Sequence, residues 1–167
     1  MKQGLVALLL VGIGVDGTSL AAPTKSRNAS QISQIATCPI TTIPDSPFSP
    51  PAPYPATAPP GTFWYGTEDL WTALPIDGSW QGLRQKVFWW HLGFDGRTEQ
   101  KPQLTVAGRR LDGAGSFVRA PPATNASNAG FGGWTILALV DIPTTGCWEI
   151  TGSYRGGMIR FNLSIVP

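Results

Sequence analysis

The sequence predicts an all-β chain, an antiparallel sandwich of about seven strands, and three observations carry that expectation. First, the C-terminal stretch alternates. Trp148, Ile150 and Tyr154 interleave with Glu149, Thr151 and Ser153, and Ile159, Phe161, Leu163 and Ile165 with Arg160, Asn162 and Ser164. Period two with one apolar face marks half-buried antiparallel strands. Between the two runs, Arg155-Gly156-Gly157 reaches positive φ at low cost, as a tight hairpin requires. Second, twenty glycines and sixteen prolines among 167 residues make the chain rich in turns. Third, no segment sustains the three-four apolar spacing of an amphipathic helix. A small barrel is the alternative closure of the same strands.

Residues 1–21 read as a secretory signal peptide. Met1-Lys2 is a short basic start, residues 4–15 are apolar, and Ser19-Leu20-Ala21 is a small-x-small cleavage site. The apolar run is about half the roughly 20 residues a spanning helix needs, which disfavours an uncleaved anchor. No later stretch is long and uniform enough to cross a bilayer, so no membrane span is expected after cleavage. The chain is expected in an exported compartment, periplasmic or extracellular. A net charge of +2 with 13 % charged residues and no basic run excludes nucleic acid as a partner.

Residues 22–61 read as a Pro-rich linker or arm. Pro44, Pro47, Pro50, Pro51, Pro53, Pro55, Pro59 and Pro60 fix φ and remove amide donors, which excludes helix and central strand. From residue 62 to 167 the pattern is strand, turn, strand, and this is taken as the sandwich domain. Phe63-Trp64-Tyr65 and the run from Leu70 to Leu74 are short aromatic strands, and Asp77-Gly78 and Asp95-Gly96 mark turns. Residues 86–92 and 134–140 are apolar on both faces, as strands deep in a sandwich are. Leu104, Val106 and Gly108 belong to a further strand, and residues 120–125 are expected to be loop.

Two cysteines remain, Cys38 in the arm and Cys147 in the hairpin. In an exported chain two cysteines most simply pair. If Trp148 and Ile150 face the core, Cys147 faces away from it, where a segment crossing the sheet could reach it. Two unpaired thiols are the alternative. Two cysteines with one distant histidine make no recognisable metal-ligand spacing, so no metal site is expected.

Cys38-Pro39-Ile40-Thr41, Phe88-Trp89-Trp90, the run from Leu104 through Gly108-Arg109-Arg110-Leu111-Asp112, and Gly146-Cys147-Trp148-Glu149-Ile150-Thr151-Gly152 together resemble a family of small exported bacterial proteins of unknown function. The similarity spans Cys38 to the C-terminus, apart from the proline run. The resemblance implies an immunoglobulin-like β-sandwich and export. It brings no activity, cofactor or site residue with it.

Chemistry sought directly in the residues is sparse. His91, the single histidine, ends an aromatic strand, where a structural role is favoured over a general base. No serine elbow, phosphate loop or zinc-protease motif is present. Glu68 and Asp69 are adjacent acids that would point to opposite faces of a strand, unlike a glycosidase pair. One of Arg109 and Arg110 is expected to pair with Glu149 or Asp112 across strands, a reading preferred to anion binding. No catalytic residue and no cofactor is assigned. Trp64, Tyr65, Trp71 and Trp80 are the candidate ligand-binding residues: exposed and coplanar they could stack on sugar rings, buried they would fill a core. The expectation is therefore a non-catalytic exported domain that meets another exported protein or an envelope component. A carbohydrate-binding module acting on polysaccharide is the first alternative, and a hydrolase the second.

Overall fold

Among the described residues, ten strands follow in chain order: β1 (Thr62–Thr67), β2 (Leu70–Pro75), β3 (Ser79–Gln81), β4 (Arg84–Trp90), β5 (Thr105–Arg110), β6 (Ser116–Arg119), β7 (Thr124–Asn128), β8 (Gly133–Asp141), β9 (Gly146–Tyr154) and β10 (Gly157–Val166). This computed structural model describes residues 37–119, 122–128, 130 and 132–167. The expected signal peptide at 1–21 and the arm before residue 37 lie outside the described residues.

The strands form two five-stranded sheets, β1-β2-β4-β8-β7 and β3-β10-β9-β5-β6. All pairings are antiparallel except β3 with β10. Two open sheets rule out the barrel. The order β2-β4-β8-β7 is that of strands A-B-E-D of the immunoglobulin fold, and β10-β9-β5 is that of G-F-C. The fold is an immunoglobulin-like sandwich with ten strands where about seven were expected. The additional three are β3, β6 and β7. Each lies at a sheet edge, where one neighbour supplies the hydrogen bonds and an apolar pattern is not required. Residues 124–128 form such a strand, carried by their pairing with β8, where the sequence predicts loop at 124 and 125.

The terminal hairpin is as the alternation predicts. Tyr154 pairs with Gly157 across a two-residue turn in which Arg155 has φ 48° and Gly156 φ 89°. Positive φ at both central residues is the type I′ geometry that matches strand twist. Trp148, Ile150, Tyr154, Ile159, Phe161, Leu163 and Ile165 enter the core, where they meet Leu70, Leu74, Val87, Trp89, Ile136, Ala138 and Val140 of the facing sheet.

Glycines inside strands mark where rings lie flat. A Cβ on Gly108 would fall 2.0 Å from Phe117 Cε1, and one on Gly152 would fall 2.2 Å from Trp89 Cζ3. Many immunoglobulin domains join strands B and F by a disulfide. Here the equivalent strands, β4 and β9, meet through Trp89 and Gly152, and the cysteine of β9 is used elsewhere.

Candidate functional site

That cysteine faces outward. Trp148 and Ile150 point into the core, so their neighbour Cys147 points to the opposite face of β9, where Cys38 bonds it with a Cα–Cα distance of 5.4 Å. The arm then lies along the edge of β10. Thr41 N donates to Asn162 O at 2.9 Å, and Asn162 N donates to Thr41 Oγ1 at 2.8 Å. Ile40 covers Gly78, where a Cβ would come within 2.7 Å of Ile40 Cδ1.

Beyond Thr41 the arm crosses to the outer face of the first sheet. Residues 37–61 carry no regular secondary structure, as proline dictates, yet they are not a free linker. They belong to the same unit as the sandwich. Phe48, Tyr54 and Ala58 pack on Trp64, Trp71 and Trp90. Tyr54 stands edge-on to Trp71 with centroids 5.0 Å apart, and Trp64 edge-on to Trp90 at 4.9 Å. Trp64 Nε1 donates to Pro55 O at 3.0 Å. This explains why β4 is apolar on both faces: Val87 and Trp89 face the sandwich core, while Phe88 and Trp90 face the arm.

The candidate aromatics therefore part company. Trp64 and Trp71 are buried under the arm at 4 % and 0 % exposure, and Trp80 is buried at the core margin beside Phe161. None of the three presents an open ring face. Tyr65 alone is half-buried, and it stands in a groove.

The groove, of about 450 Å³, runs between β1 and β10, and Pro44, Ser46 and Phe48 of the arm also line it. Trp64, Tyr65, Met158 and Arg160 line it from the two strands. Met158 is 60 % exposed. Tyr65 reaches across, and its hydroxyl donates to Arg160 O at 2.8 Å. Both walls are sheet edges: β1 is the outer strand of its sheet, and β3 pairs with β10 only from Ser164 to Val166. An extended segment laid in this groove would meet main-chain groups on either side. Sequence reasoning reached Trp64 and Tyr65 but not Phe48, Met158 or Arg160. The register signal for Arg160 was the polar side of the β10 alternation.

Among the described residues, charged groups pair in several places, Arg84 with Asp141 at 2.6 Å among them. Arg109 and Arg160 both approach Glu149 Oε1, at 3.3 and 3.8 Å, so Glu149 is the cross-strand partner expected from the alternation. Arg110 Nε donates to Asp112 Oδ1 at 2.7 Å, and Cys147 N donates to Asp112 Oδ2 at 3.0 Å. The Arg110 hydrogen bond holds the Asp112 carboxyl below its ordinary range. At one end of the sandwich, Tyr154 Oη donates to Glu99 Oε2 at 2.6 Å, and Arg155 bonds the same oxygen. Burial first, then the bond to Glu99, push the Tyr154 hydroxyl up. His91 stacks edge-on against Tyr154 at 5.1 Å, and burial, then Arg155, push its pKa down. These bonds fasten the β4–β5 connection to the terminal hairpin. Glu68 and Asp69 form the exposed β1–β2 turn and do not converge.

Among the described residues, no helix is long and apolar enough to cross a membrane. No protein-family profile, no curated protein and no solved structure matches the chain.

Proposed function

We propose that the protein is a non-catalytic, exported immunoglobulin-like domain that binds another exported protein through the open side of its sandwich. The observation that carries this reading is the groove between β1 and β10, where the edges of two sheets and the half-buried Phe48 and Tyr65 line the same space. Edges of this kind are templates for another chain unless they are covered or charged. Export is supported by the Cys38–Cys147 disulfide, a bond that persists in oxidising compartments. It is supported equally by the signal-like character of residues 1–21.

The test is a photo-crosslinking amino acid placed at Met158 in the groove or, as control, at Val118 on the far edge strand, followed in the host. A protein adduct from position 158 and none from 118 is expected. Retention on insoluble polysaccharide with no protein adduct would overturn the reading.

A further inference from the structure

Successive residues of β10 present their main-chain groups alternately to β9 and to the opposite side. The even-numbered residues face away from β9, and their partners form a series. Val166 O accepts from Gly82 N at 2.8 Å, and Ser164 N donates to Gly78 O at 2.9 Å. Asn162 exchanges both of its bonds with Thr41 of the arm. Arg160 O accepts from the Tyr65 hydroxyl, which stands where the amide of a neighbouring strand would stand.

There the series stops. The Arg160 N–H and both main-chain groups of Met158 continue the same edge, and no described residue bonds them. The opposite wall has the same character. Thr62 N turns outward to Pro59 O at 3.1 Å, and by alternation the main-chain groups of Trp64 and Gly66 turn outward too.

We propose that an extended segment of the partner protein adds to β10 as a strand at Met158–Arg160, continuing the line already occupied by β3 and Thr41. The proposal rests on the protein-binding reading and names the mode and place of binding. Strand addition draws affinity from the main chain and specificity from alternate side chains. The segment required is extended, free of proline where it meets the edge, and carries an apolar residue facing the exposed parts of Tyr65 and Met158. A second copy of this chain fits less well, because the edge lies recessed between the arm and β1.

The experiment uses the full chain with its disulfide intact. A displayed library of random dodecapeptides is selected on it, and the recovered peptide is synthesised and titrated while amide exchange is followed. Slowed exchange at Met158 and Arg160 on binding is expected. Met158→Pro, which removes the outward amide together with the groove-lining side chain, should weaken binding at least tenfold. Tyr65→Phe, which frees the Arg160 carbonyl, should bind at least as tightly as the wild type. Both variants are checked for unchanged sheet content. Should Met158→Pro fail to fold, exchange in the wild-type complex and the Tyr65→Phe titration decide the matter.

A peptide that binds while these two amides keep exchanging freely overturns strand addition and leaves the protein-binding reading standing. Protection of the same amides by self-association at high concentration, without peptide, overturns the choice of partner. Failure to select any peptide, together with retention on polysaccharide, overturns both readings.

Discussion

The six-membered ring of Trp89 lies on the backbone of Gly152, so close that a Cβ there would fall 2.2 Å from Cζ3. This is a contact between the two sheets. Both residues are buried, and Trp89 has no exposed surface. Gly152→Ala should force the indole aside and cost about 1–3 kcal/mol, the usual range for overpacking a core. Denaturant unfolding measures it. A change below about 0.5 kcal/mol would mean the indole has room to move, contrary to the packing described.

The arm should behave as part of the core. Tyr54→Ala removes a ring set edge-on to Trp71, and a loss of about 2 kcal/mol is expected. Tryptophan emission should shift to the red as Trp64 and Trp71 gain water. Wild-type emission and stability in the variant would show that the proline run merely passes over the sheet.

Cys38→Ser or Cys147→Ser should lower the melting temperature with little change in sheet content. The bond closes a sequence separation of 109 residues. In the chain-entropy account such a link contributes about 4–5 kcal/mol, less any native strain. Because Thr41 sits three residues beyond Cys38, loss of the bond should also speed exchange of the Thr41 amide. Thiol titration that finds free cysteines in the native protein would contradict the structure.

Stability at high pH should depend on Tyr154. Its pKa is raised in the folded protein, so the protonated hydroxyl is the form the fold favours. The sign follows: this contribution is complete below the unfolded tyrosine value of about 10 and fades as pH rises toward the folded value. Tyr154→Phe should therefore reduce stability at neutral pH through loss of the Glu99 bond, and flatten the alkaline decline. Unfolding measured from pH 8 to pH 11 checks it. Parallel curves for the two proteins would refute the assignment.

Much of the fold was legible in the residues themselves. The alternation of β9 and β10 specified a two-faced hairpin, Arg155-Gly156 specified its turn, and the outward parity of Cys147 pointed to a partner crossing the sheet. Alternation works because each strand residue's face is a local property, set by a backbone repeat of two. The double-sided apolar character of residues 86–92 was equally clear, and it implied that something covers each face.

What covers a face is not local. That the proline run, which lacks the amides for a strand, would dock on Trp64, Trp71 and Trp90 was decided by the disulfide and by the reach of Phe48 and Tyr54, contacts made across long stretches of chain. The same holds for β3, β6 and β7, whose short or polar sequences become strands only because β10, β5 and β8 offer them hydrogen bonds. The groove at Met158 and Arg160 is the last such case. It exists because β3 begins only at Ser79, opposite Ser164, and the arm leaves at Thr41, so two sheet edges remain open toward each other, a relationship that no spacing along the chain encodes.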